Sequence, residues 1–99
     1  MPVRVELWES SVLVDGVEEW WDGIERALLP AEGEYPILES ISPYGDVRIP
    51  ADRLSDLADE CRRLSKASTG KVRSLLCKIA DLCDRARETG DAELRFNGD

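Results

Sequence analysis

The 99-residue chain has no histidine, and that absence removes more chemistry than any other feature of its composition. Histidine is the side chain whose unperturbed pKa suits proton transfer near neutral pH. Without it, Ser-His and Cys-His activation of a nucleophile is excluded. The three cysteines, Cys61, Cys77 and Cys83, form no CxxC pair, so a zinc site would lack at least one further soft ligand. No metal or cofactor is expected. The odd cysteine count fits free thiols in a reducing compartment. No apolar run approaches the roughly 18 residues that a membrane span needs. The opening Met1-Pro2-Val3-Arg4-Val5-Glu6 has neither a long apolar stretch nor a small-residue cleavage site, which makes the cytoplasm the expected location and a membrane an unexpected partner. The phosphate-cradling motifs GxGxxG and GxxxxGK[ST] and the nucleophile elbow GxSxG are absent, and the glycines are scattered at turns.

A basic excess is also lacking. The net charge is −8, and all of it falls in residues 1–49, which hold 11 acids against 3 bases; residues 50–99 hold ten of each. Nucleic acid is disfavoured as a partner, because binding it requires a basic footprint. What remains is ordinary globular composition, 42% hydrophobic and 34% charged, too apolar for a disordered chain. A chain of this size buries roughly 60–70% of its unfolded surface, so one domain spanning 1–99 is expected, stable without disulfides.

Val3, Val5 and Leu7 alternate with Arg4, Glu6 and Trp8, the period of a half-buried strand over about residues 3–8. Ser10 to Val14 reads two ways, as a short returning strand or as a loose lead into a helix. Asp15 with Glu18 three residues on has the form of a capping box, and predicts a helix over about 17–29. At about 100° per residue, Val17, Trp20, Trp21, Ile24 and Leu28 share one arc and form its buried face. Both indoles are therefore expected in the core. Glu18, Glu19, Asp22 and Glu25 gather on the opposite face, with Arg26 the single base among them.

Pro30 to Pro36 reads as loop. Alternation at Ile37, Glu39 and Ile41, a type I turn at Ser42-Pro43-Tyr44-Gly45 and the run Asp46-Val47-Arg48-Ile49 together predict a hairpin over about 37–49. Pro50 suits a first helical position, and Leu54, Leu57, Ala58, Cys61 and Leu64 form the stripe of a helix over about 50–66. Ser68 or Thr69 caps the next helix, about 70–89, whose stripe is Val72, Leu75, Leu76, Ile79, Leu82, Cys83 and Ala86, with Gly90 closing it. The two pack as an antiparallel pair. Leu94 and Phe96 mark a terminal strand. The fold class is α+β: a small, mostly antiparallel sheet with three helices, the last two forming an αα-hairpin.

Segments Tyr35-Pro36-Ile37-Leu38, Ser42-Pro43-Tyr44-Gly45-Asp46 and the ending Leu94-Arg95-Phe96-Asn97-Gly98-Asp99 carry a resemblance to short uncharacterised actinobacterial proteins. It covers about the last two thirds of the chain, and its most specific element is the Pro-Tyr-Gly-Asp turn. The resemblance implies the hairpin and the terminal strand, and it brings no activity with it.

The candidate site is the acidic face Glu18, Glu19, Asp22 and Glu25, whose potential would steer a basic protein. The bland alternative is a solvated face that keeps the chain soluble. The expected function is a non-enzymatic acidic binding domain, for instance an immunity protein or antitoxin; the alternative is a structural or accessory module, a monomer or a homodimer through surplus apolar surface such as Leu29 or Trp8. An acid/base pair of Asp46 and Asp99 is a third reading, weakened by the ease with which aspartate serves a turn. Cys77 falls off its helix's apolar stripe, beside Arg73 and Lys78, and is the candidate reactive thiol.

Overall fold

The computed structural model describes residues 2–42 and 44–98. Strand β1 (Pro2–Glu9) follows from the alternation at Val3, Val5 and Leu7, all of which are buried. Ser10 and Ser11 then take φ of 50° and 68°. Two successive left-handed residues make the turn whose twist suits an antiparallel hairpin. The chain returns as β2 (Val12–Trp20), so Val12 to Val14 is strand, the first of the two readings.

β2 runs further than expected, and the helix over 17–29 is corrected to α1 (Asp22–Leu28). Val17, Glu18, Glu19 and Trp20 pair with Val5, Arg4, Val3 and Pro2. The physical reason is cross-strand pairing by a segment rich in valine and tryptophan, which the helical wheel ignores. The register also slips between Leu7 and Trp8: Leu7 faces Asp15 while Trp8 faces Leu13, so Val14 is a bulge that masks the period of two. Trp20 is consequently 65% exposed while Trp21 is fully buried. Asp15 opens no helix; its carboxylate accepts the Gly16 N–H at 2.8 Å and pairs with Arg85 at 2.6 Å.

The hairpin over 37–49 is corrected as well. Its first limb is the short helix α2 (Pro36–Ser40), with Pro36 in the first turn, where its missing N–H costs nothing. Ile37, Leu38 and Ile41 are all buried. Their spacing of one and four is helical, whereas alternation puts Ile37, Glu39 and Ile41 on one side and Leu38 on the other. The Glu39 carboxylate accepts N–H bonds from Tyr35 and Gly33, and Glu60 reaches from a later helix to the N–H groups of Ile37 and Leu38. Tertiary capping thus holds a helix that propensity alone would leave marginal. In the turn that follows, the Gly45 N–H faces the Ser42 carbonyl at 3.5 Å and the Tyr44 N–H meets Ser42 Oγ at 3.1 Å; Pro43 lies outside the described residues. Strand β3 (Asp46–Ile49) pairs with β4 (Ala92–Asn97), not with residues 37–41.

The C-terminal half follows its pattern. A 3₁₀ turn (Ala51–Arg53) leads into α3 (Leu54–Lys66), and α4 (Gly70–Thr89) packs against it. The α3 stripe is buried throughout, as is the α4 stripe except for partly buried Val72. Thr69 occupies the N-cap position of α4 without a side-chain cap bond, and Ser68 Oγ instead donates to the Leu64 carbonyl. Gly90, at φ 71°, ends α4 in the left-handed conformation that glycine adopts without strain. Gly23 permits α1 to sit against α4, since a Cβ there would lie 2.5 Å from Val72 Cγ2.

The fold is α+β, one antiparallel sheet of four strands in the order β2-β1-β4-β3. Val3, Val5, Leu7, Ile49, Leu94 and Phe96 turn one sheet face into the core, where α4 packs on β1 and β4. Trp21 meets Phe96 there edge to face, with centroids 6.0 Å apart. No helix among the described residues is long and apolar enough to cross a membrane.

Candidate protein-binding surface

The sheet face opposite the helices is polar and ordered. Arg4, Glu6 and Trp8 of β1 stand beside Asn97, Arg95 and Glu93 of β4. Glu6 is buried; its carboxylate accepts Trp8 Nε1 at 3.0 Å and Asn97 Nδ2 at 2.8 Å, with Arg4 at 3.8 Å. The Arg95 guanidinium lies 4.0 Å from the Trp8 ring centroid and pairs with Glu93 at 3.2 Å. Alternation marks these residues as the outer face, but it could not show that a carboxylate would be buried among them. A buried charge persists where donors surround it.

The four acids taken from sequence do not share a helix face. Glu18 and Glu19 belong to β2, on opposite faces of the sheet, and Asp22 and Glu25 to the first turn of α1. They nonetheless follow one border of the molecule, from the sheet edge into α1. Glu18 pairs with Arg4 at 3.5 Å, an exposed contact of small energetic weight. Glu19 and Glu25 make no ion pair among the described residues. Along the same strand the structure exposes the apolar side chains Val12, Leu13, Val14 and Trp20, the last of which the helical wheel assigns to the core. A protein-binding surface combines such features, apolar area for contact and charge for steering.

Beyond α1 the border opens into a groove of about 700 Å³, floored by Trp21, Leu28 and Ile41 and rimmed by Glu25, Glu32 and Tyr44. Leu29, proposed from sequence as surplus apolar surface, lines it and is exposed. Trp8 is covered by Arg95 instead. Asp46 is exposed at the start of β3, opposite Asn97, and Asp99 lies outside the described residues.

Among the described residues no group of three or more His, Cys, Asp or Glu side chains is placed to hold a metal ion. Cys77 is exposed, Cys61 and Cys83 are buried. Burial pushes the Cys83 thiol up to about 12, reinforced by neighbouring Asp84, and raises Cys61 further. Since the thiolate is the reacting form, labelling the native protein with a maleimide or a disulfide reagent at pH 8 should modify Cys77 in a fast phase and the other two only on unfolding. Equal rates at all three would contradict this packing.

Compared with protein-family models, with curated proteins and with solved structures, the chain has no match.

Proposed function

We propose that this chain is a non-enzymatic protein-binding domain of the cytoplasm that uses its acidic N-terminal border against a basic protein. The observation that carries the reading is the run of Glu18, Glu19, Asp22 and Glu25 beside exposed Val12, Leu13, Val14 and Trp20. Charge concentrated on one border accelerates association with an oppositely charged surface and rejects acidic competitors. Covering the basic surface of a toxin, as an immunity protein or antitoxin does, is the task such a border suits. A standard interface needs about 800 Å² from each partner; the edge strand, its hairpin turn and the start of α1 are the segments that would contribute to it.

The test is a double charge reversal, Glu19→Lys with Glu25→Lys. Neither substitution breaks an ion pair among the described residues, and surface changes of this kind usually move stability by less than about 0.5 kcal/mol. Capture of a basic partner from the native cell should fall sharply for the variant, and wild-type association should slow as salt rises past the range where the Debye length is about 8 Å. A partner that binds the variant as fast and as tightly as wild type would overturn the reading.

A second reading, a self-associating accessory module, has the same exposed apolar residues in its favour. Sedimentation decides it: a concentration-dependent dimer supports it, a monomer at all concentrations does not.

A further inference from the structure

β2 is an edge of the sheet, bonded to β1 on one side and to no strand on the other among the described residues. The outward backbone groups of its nine residues meet no strand among the described residues, although the Gly16 N–H is met by the Asp15 carboxylate at 2.8 Å. Edge strands of that length are commonly blunted by lysine, proline, bulges, inward-pointing charges or a covering segment; β2 has no lysine or proline, and the devices it carries are the bulge at Val14 and the inward-facing acids Asp15 and Glu19. β3, the opposite edge, has four residues.

Two hollows flank the middle of β2, one on each face. The first, about 510 Å³, lies on the open sheet face and is lined by Arg4, Glu6, Leu13, Val14, Gly16 and Glu18 among others. The second, about 370 Å³, lies between β2 and α4 and is lined by Asp15, Val17, Lys78, Asp81, Leu82 and Arg85 among others. Both share Asp15, Gly16 and Val17. A helix docked here would use one face only. An extended strand sends alternate side chains to both faces, and strand addition takes its affinity from the backbone and its selectivity from pockets for those alternate side chains.

We infer that β2 is a docking edge for an extended basic segment of the partner protein, added as a fifth strand. This rests on the acidic-border reading and names its mode. The register of β2 on β1 places Asp15, Val17 and Glu19 on the helix side and Gly16, Glu18 and Trp20 on the open side. An antiparallel segment facing Trp20 back to Val14 therefore matches best as apolar, basic, basic, apolar, neutral, basic, apolar. Its second residue meets Glu19, the one acid of the strand without an ion pair among the described residues. A second copy of this chain is the poorer occupant: it brings its own Asp15, Glu18 and Glu19 to the seam and a further charge of −8 to the pair, and like charges across a strand pair destabilise it.

The probe is the peptide Val-Lys-Lys-Val-Thr-Lys-Val, blocked at both ends, against the whole chain, with an analogue N-methylated at alternate backbone nitrogens. The analogue keeps every charge and loses strand hydrogen bonds. The unmodified peptide should bind at least tenfold more tightly than the analogue, and slow amide exchange along Val12–Trp20 but not along Asp46–Ile49. Equal binding of both peptides, lost together in Glu19→Lys, would overturn strand addition and leave the acidic reading standing. Binding of neither peptide, or a β2-mediated dimer that shuts both out, would also overturn strand addition. The acidic reading itself fails separately, on a partner indifferent to the double reversal.

Discussion

Replacing Trp21 by alanine should lower the unfolding free energy by about 3–5 kcal/mol, the range for deleting a large buried aromatic, whereas Trp20→Ala should stay within about 0.5 kcal/mol. Two adjacent tryptophans differ so much because they straddle the end of β2. Trp20 is the last strand residue and leaves the sheet toward solvent, while Trp21 precedes α1 and lies under it against Phe96. Against a total of about 5–15 kcal/mol the first loss puts folding at risk. A milder variant keeps the claim measurable. Trp21 Nε1 has no hydrogen-bond partner among the described residues, and an unpaired buried donor costs about 1–3 kcal/mol. Trp21→Phe removes that donor together with part of the volume, so its loss should be well under half that of alanine. Urea midpoints of the three variants are the measurement. A Trp20 variant as damaging as Trp21→Ala would place the boundary between strand and helix elsewhere.

The same boundary explains why the sequence is legible in one half and misleading in the other. α3 and α4 are long enough for their stripes to repeat several times, with Gly90 at the stop, so periodicity alone places them and the residues they bury. Residues 12–41 are built from short elements. Over nine residues with a bulge at Val14, a strand shows little clean alternation, and a wheel started at Val17 collects Trp20 from the strand and Ile24 from the helix into one false stripe. The acids suffered the same merger: Glu18 and Glu19 are strand, Asp22 and Glu25 helix. They stay close because they are neighbours in sequence, but they do not share the one helix face that the wheel predicts. What could not be read locally is whatever depends on a distant partner. Arg85 holds Asp15 from 70 positions away and Asn97 holds Glu6 from 91. The Ser10-Ser11 turn also lacks the asparagine or glycine that usually announces a two-residue hairpin.

Glu60 is the clearest of these distant partners, and its loss should be the second large effect. On the wheel of α3 it falls about 40° from Leu64, at the margin of the apolar stripe, and it is only 4% exposed. Its Oε1 accepts the N–H groups of Ile37 and Leu38 at 3.1 and 3.0 Å, and Oε2 approaches the Ile37 N–H at 3.2 Å. These are first-turn amides of α2 with no partner inside that helix. Bonds from neutral donors to a charged acceptor contribute about 1.5–3 kcal/mol, and an orphaned buried donor costs about 1–3 kcal/mol. Glu60→Ala should therefore lower stability by about 2–4 kcal/mol on the same reasoning. Glu60→Gln retains one carbonyl oxygen able to accept both amides, and should recover much of the loss. Hydrogen exchange makes the assignment specific: in Glu60→Ala the amides of Ile37 and Leu38 should exchange much faster relative to the α4 core than in wild type. If both variants lose stability equally while those two amides stay protected, α2 is held by the burial of Ile37 and Leu38 alone, and the carboxylate is not its cap.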